Sequence, residues 1–148
     1  MDGEHSSSLL EIYRSFFSLD KDLDIISLRE GDTPLVYLKS ISDQLRNIDV
    51  YAKCEGMNPT GSFKDRGMTL AVTMAKAQGA RAIICASTGN TSASAAAYAA
   101  RAGLSAYVVI PAGKIAVGKL AQAMMHGVRA IQISGNLDVG MEIGRAHV

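Results

Sequence analysis

Gly79-Ala80-Arg81-Ala82-Ile83-Ile84-Cys85-Ala86-Ser87-Thr88-Gly89-Asn90-Thr91 reads in order as a glycine turn, a short apolar strand, a polar loop and a helix start. The pattern then returns twice. Gly103 leads into Ser105-Ala106-Tyr107-Val108-Val109-Ile110 and Gly127 into Arg129-Ala130-Ile131-Gln132-Ile133, with Ala82, Ala106 and Ala130 in equivalent places. A glycine closing each helix suits a left-handed cap. Strand-then-helix units repeated in this way predict right-handed crossovers and a parallel sheet. The expected fold is therefore α/β, a three-layer parallel sheet with flanking helices, its strands reading as continuous apolar runs as doubly covered strands do. The alanine-rich stretch over residues 93–102 predicts a smooth helix that packs close to the sheet.

Ligands of open parallel sheets gather at the carboxyl ends of the strands, so the loop after each strand is a candidate site. Ser87-Thr88-Gly89-Asn90-Thr91 offers hydroxyls and first-turn amides that suit an anion. A second reading stands beside it, in which Ser87, Thr88 or Asn90 merely caps the helix. After the second strand, Gly113-Lys114-Ile115-Ala116-Val117-Gly118-Lys119-Leu120 nearly spells the nucleotide loop G-x-x-x-x-G-K-[ST]. Leu120 stands where a magnesium-binding hydroxyl is needed, which argues against nucleotide binding. Ser134-Gly135-Asn136, after the third strand, carries no definable role.

Upstream, Asn58-Pro59-Thr60-Gly61-Ser62-Phe63-Lys64-Asp65-Arg66 joins turn chemistry to one lysine, between the strand-like Val50-Tyr51-Ala52-Lys53-Cys54 and an apolar helical run from Gly67. Lys64 thus falls near a helix N-terminus, whose positive end disfavours an ammonium. Were it also partly buried, the neutral nucleophilic amine would be favoured. By placement alone, an exposed lysine in the first helical turn is the favoured reading. Further upstream, residues 6–19 place Leu9, Leu10, Ile12, Tyr13, Phe16 and Phe17 at helical spacing, which predicts a short core-packing helix. Gly31-Asp32-Thr33-Pro34 marks a turn before a strand at Leu35-Val36-Tyr37-Leu38. Residues 39–47 suit a helical turn or two, and residues 49–54 a returning strand.

Composition narrows the function classes. The chain has 148 residues, 48% of them hydrophobic, and a formal charge of +1, which supports one core and leaves no electrostatic footprint for nucleic acid or an acidic membrane. The two cysteines, Cys54 and Cys85, sit in strand-like runs and read as reduced thiols of a cytoplasmic protein. His5, His126 and His147 lack ligand spacing, so no metal site is expected. No apolar run reaches membrane-spanning length, and the polar N-terminus does not resemble a signal peptide.

The run Pro59-Thr60-Gly61-Ser62-Phe63-Lys64-Asp65-Arg66 resembles the cofactor-lysine segment of pyridoxal-phosphate (PLP) enzymes of the tryptophan-synthase-β type, fold type II. Two further motifs, Glu30-Gly31-Asp32-Thr33-Pro34-Leu35 and Ser87-Thr88-Gly89-Asn90-Thr91, follow the order and spacing of that family, and the wording is most similar to the threonine synthase group. The resemblance implies that Lys64 holds PLP covalently and moves protons, that Phe63 and Asn90 also bind the cofactor, and that Ser87, Thr88, Gly89 and Thr91 take the substrate carboxylate. It implies Lys114, with Lys119 as second choice, as the contact for the phosphate of O-phospho-L-homoserine. The implied reaction converts that substrate and water to L-threonine and phosphate, in a homodimeric parent enzyme. Serine or threonine dehydratase is the alternative within the family; a non-catalytic βα domain for a nucleotide or small anion is the alternative outside it. The glycine-rich phosphate loop of the family does not occur in this chain. The expected organisation is thus an N-terminal part of a longer enzyme, with residues 1–48 a helix and segment of the large domain and residues 49–148 the lysine segment and an incomplete small domain. A chain so divided is expected to bind PLP poorly alone.

Overall fold

The structure, a computed structural model, describes residues 8–45, 47–111 and 117–134. The first two βα units and the strand of the third form as expected; the helix expected after that strand lies outside the described residues. Strands β3 (Ala82–Ala86), β4 (Ser105–Pro111) and β5 (Arg129–Ile133) pair in parallel in the order β3-β4-β5. Ile83 lies opposite Ala106, Val108 opposite Ala130, and Ile110 opposite Gln132. Gly79, Gly103 and Gly127 take φ of 82°, 72° and 78°, the left-handed values that let each helix stop and the chain turn into its next strand.

Helix α4 (Asn90–Ala102) is the centre of the packing. It crosses between β3 and β4 and lies between α3 (Lys64–Ala77) and α5 (Val117–Met125), touching both helices and both strands. Ala93, Ala95, Ala96, Ala97 and Ala99 are all buried, because methyl side chains let four neighbours approach one helix at once. One core cluster gathers Ile26, Val72, Ala97, Tyr98 and Ala102; a second gathers Ala96, Val108, Ile110, Ala123 and Val128. Each wholly buried Val or Leu here contributes on the order of 2 kcal/mol. The helices therefore cover the sheet face that carries Ile83, Val108 and Ile110. On the opposite face Ile84 and Ile131 remain 48% and 46% exposed.

The N-terminal third differs more from expectation. Strands β1 (Leu35–Tyr37) and β2 (Tyr51–Lys53) pair antiparallel around α2 (Lys39–Gln44). Helix α1 is only one turn, Leu9–Ile12, nucleated by a capping box between Ser8 and Glu11. Beyond it the chain turns irregularly, and the Arg14 guanidinium donates to the carbonyls of Asp20 and Lys21 in place of a helical continuation. Leu10 is fully buried, but Ile12, Tyr13, Phe16 and Phe17 are exposed, which corrects the expected core-packing helix over residues 6–19.

An irregular segment, residues 26–34, is tied to α3 and α4 by polar bonds. The Ile26 amide donates to Thr73 Oγ1 at 3.0 Å and its carbonyl accepts from Thr69 Oγ1 at 2.7 Å. Glu30, 3% exposed, accepts from Tyr98 Oη at 2.6 Å, from the Leu28 amide at 3.1 Å and from Ser27 Oγ. Burial pushes the Tyr98 hydroxyl well above its ordinary range, and the Glu30 carboxylate adds to this.

Candidate active site

Lys64 is the first residue of α3, as its sequence setting predicts. The preceding loop is wound tightly: the Gly61 amide donates to the Asn58 carbonyl at 2.8 Å, Gly61 takes φ of 78°, and Ser62 Oγ accepts from the Lys64 amide at 3.2 Å. The lysine side chain itself is exposed, so the partial burial on which its activation was conditioned is absent among the described residues. Its Nζ sits 5.0 Å from the centroid of the Phe63 ring, itself 56% exposed, and has no carboxylate within ion-pair distance among the described residues. The amine is thus available to a ligand, with an aromatic face beside it.

Asp65, the next residue, points the other way and is wholly buried. Its Oδ2 accepts from the Thr60 amide at 2.7 Å, and its Oδ1 accepts from Thr60 Oγ1 at 2.5 Å and from Ser94 Oγ at 2.6 Å. One carboxylate therefore ties the lysine loop to the second turn of α4. Gln122 of α5 joins the same loop by donating to the Thr60 carbonyl at 3.3 Å.

The loop at residues 87–91 forms the start of α4, with Gly89 at the capping position. Glycine has no side chain to fill the first-turn amides, and Ser87 Oγ instead accepts from the Gly89 amide at 3.2 Å. The expected reading of Ser87, Thr88 or Asn90 as a plain cap is corrected accordingly; the amides of Asn90 and Thr91 face outward from the helix end without an intrahelical acceptor. Cys85 lies just before this loop. Burial pushes its thiol up to about 11, while the charge of Lys64 pulls it back. Lys64, Phe63, Ser87, Thr88, Gly89, Asn90 and Thr91 therefore sit at adjoining helix starts linked by Asp65 and Ser94. Lys114 lies outside the described residues. Lys119 falls in α5, which begins at Val117 within the nucleotide-like stretch.

Arg66 faces a third direction. Its Nε and Nη2 form a two-point pair with Glu55, each at 2.8 Å. Thr33 Oγ1 donates to Glu55 Oε1 at 3.1 Å and accepts from Arg66 Nη2 at 3.1 Å; Asn58 Nδ2 donates to Glu55 Oε2 at 3.0 Å, and Asn58 Oδ1 accepts from the Gly31 amide at 3.0 Å. Hydrogen bonding from Arg66, assisted by Asn58 and Thr33, holds the Glu55 carboxyl down at about 2 against the pull of burial. The same pair raises Arg66. This network fixes the Gly31-Asp32-Thr33-Pro34 motif against the lysine segment. A cavity of about 320 Å³ opens beside it, lined by Arg29, Glu30, Asp32, Lys53, Glu55 and Arg66 among others. Lys64 and the 87–91 loop do not line it.

Sequence reading missed Asp65, Ser94, Thr60, Glu55 and Asn58 as organisers of the site. A carboxylate immediately before an apolar helical run was the available signal for Asp65; Glu55 had none, because its pairing with Arg66 depends on how the intervening loop folds.

The donor set can be tested against an aldehyde cofactor that carries a phosphate and a phenolic oxygen. An amine with no acidic partner among the described residues, a neighbouring aromatic ring, and open amides at a helix start suit such a group. The residues present fit it.

Comparison with known proteins agrees. The family described as "Pyridoxal-phosphate dependent enzyme" matches residues 26–147. Threonine synthase of Halalkalibacterium halodurans is 54% identical over 138 residues, covering 93% of this chain and 39% of that protein. Threonine synthase of Mycobacterium leprae is 56% identical over 137 residues (93% and 38%), and that of Methanocaldococcus jannaschii 49% over 131 (88% and 32%). The chain thus spans about two fifths or less of the length of these relatives. Among solved structures, a hydrogen sulfide-producing enzyme from Fusobacterium nucleatum superposes with a TM-score of 0.64 at 26% identity, over 86% of this chain and 42% of that one. Maize serine racemase does so with 0.65 at 25%, over 73% and 32%. With the lysine, the two flanking motifs and the parallel βα units all in place, this chain belongs to the pyridoxal-phosphate-dependent enzyme family.

Proposed function

We propose that this chain supplies the cofactor-lysine and substrate-carboxylate portion of a threonine synthase, which converts O-phospho-L-homoserine and water to L-threonine and phosphate. The observation that carries the reading is the Asp65 bridge, which sets the Lys64 helix start against the helix start behind the 87–91 loop. The choice of reaction is supported by relatives of that name at 49–56% identity over most of this chain.

PLP, when bound, supplies an electron sink for charge that develops next to the substrate amine. Lys64 would hold it covalently, Phe63 would pack beside it, and Asn90 would donate to its ring oxygen. The open amides and hydroxyls at Ser87, Thr88, Gly89 and Thr91 would bind and orient the substrate carboxylate. Lys114 would meet the substrate phosphate. With the substrate so held, the Lys64 amine is the group to carry protons at Cα and Cβ, while phosphate departs from Cγ and water adds at Cβ. We read the enzyme as a homodimer of the cytoplasm, the two cysteines being free thiols. Among the described residues no helix is long and apolar enough to cross a membrane.

The test uses the full-length enzyme. It should release phosphate and threonine from O-phospho-L-homoserine, and borohydride should fix the cofactor to Lys64. A Lys64→Ala variant should lose at least about 10³-fold in turnover. Production of 2-oxobutyrate from threonine, with no phosphate release from phosphohomoserine, would overturn the synthase assignment.

A further inference from the structure

We infer that Asp65 is a positioning residue, whose buried carboxylate latches the lysine turn to α4 and so fixes how far Lys64 stands from the substrate loop. The inference rests on the proposed function for its substrate, but its geometry stands apart from it. Asp65 has no exposed surface and accepts from residues 5 and 29 positions away, Oδ2 from the Thr60 amide and Oδ1 from the hydroxyls of Thr60 and Ser94.

The connection is short on both sides. Thr60 lies in the loop that delivers Lys64, and both its amide and its hydroxyl end on Asp65. Ser94, also fully buried, lies one helical turn beyond Asn90, on the helix whose first amides form the 87–91 site. Shifting α4 against α3 would have to break the 2.6 Å bond between Ser94 and Asp65. Further along, α3 and α4 meet through the apolar cluster of Val72, Met68, Ala97 and Tyr98, and apolar contacts slide more readily than a directional hydrogen bond. Misplacement of about 1 Å between a reacting group and its substrate can cost about 100-fold in rate.

The chemistry of the side chain sets which replacements matter. An amide at position 65 can accept from the Thr60 amide and donate to the hydroxyls of Thr60 and Ser94, both of which also accept. A methyl can do neither. Asp65→Asn should therefore rescue most of what Asp65→Ala loses, and Ser94→Ala should reproduce the loss of the cross-helix half alone.

The experiment takes full-length enzyme loaded with PLP, with each variant shown folded by circular dichroism at the assay temperature. Two readouts are followed: the rate at which borohydride fixes PLP to Lys64, and the separate kcat and KM for O-phospho-L-homoserine. Asp65→Ala is expected to lower kcat about 100-fold and slow fixation, with KM changed less than about threefold. Ser94→Ala should lower kcat about tenfold, the double variant should be no worse than Asp65→Ala, and Asp65→Asn should stay within about tenfold of the parent. Ser94→Ala with unchanged kcat and fixation rate overturns the latch, and it decides the matter if Asp65→Ala fails to fold. A fall in melting temperature with both readouts unmoved also overturns it. Should the parent enzyme not use phosphohomoserine, the function proposed above fails, and the fixation rates alone still decide on Asp65.

Discussion

Replacing Glu55 with glutamine removes one charge while leaving the shape of the Arg66 network in place. Glu55 is held at about 2 rather than 4.5, chiefly by hydrogen bonding from Arg66. Each pKa unit corresponds to about 1.4 kcal/mol, which sets a ceiling of about 3 kcal/mol for the ionised form. Both side chains of the pair are 29% exposed, so solvent screening lowers the expected loss to about 1–2 kcal/mol at neutral pH. The sign follows from the depressed value: the contribution is complete above pH 4.5 and disappears as pH falls through 4.5 toward 2. Urea unfolding of parent and Glu55→Gln proteins, repeated from pH 7 down to pH 2.5, should show a stability gap that narrows steadily below pH 4.5. A gap of constant size over that range would refute the assignment of the stabilisation to the charged pair.

Tyr98→Phe deletes the hydroxyl that donates to buried Glu30 and should lower unfolding stability by about 1–3 kcal/mol by the same urea assay; an unchanged midpoint would mean that the bond is replaced at no cost. Gly61→Ala puts a Cβ on a residue at φ 78°, where the nearest atom outside its neighbours is 4.0 Å away, so backbone strain and not collision should lower stability by about 1 kcal/mol or more. Cys85, held up at about 11, should have about one thiol in a thousand ionised at pH 8, so iodoacetamide should modify it far more slowly than a small free thiol, and replacing Lys64 by methionine should slow it further. Equal alkylation rates in both proteins would contradict an influence of the Lys64 charge on Cys85.

The parallel sheet was legible because its signals are local and repeated: an apolar strand, a polar loop, and a glycine that closes each helix. Lys64 and the 87–91 loop were legible for the same reason, each being a short run beside a helix start. Helix α1 was not, since the spacing of Ile12, Tyr13, Phe16 and Phe17 suits a helix while Arg14 diverts the chain by binding carbonyls six and seven residues ahead. Glu30 and Tyr98 are 68 residues apart, and Thr33 meets Glu55 and Arg66 from 22 and 33 residues away; such pairings follow from the packed fold and leave no trace in local periodicity. Asp65 combines both cases, standing inside a recognisable run but taking its purpose from Ser94 on another helix.

Lys64, Asp65 and Arg66 follow one another at the start of α3, and successive residues of a helix leave its axis about 100° apart. The amine, the inward carboxylate and the guanidinium owe their three separate addresses to that rotation. Adding or deleting a single residue inside this turn would hand each address to the wrong neighbour, whereas exchanging one side chain alters one address only. Variation in this turn should therefore accumulate through replacement, with length held constant.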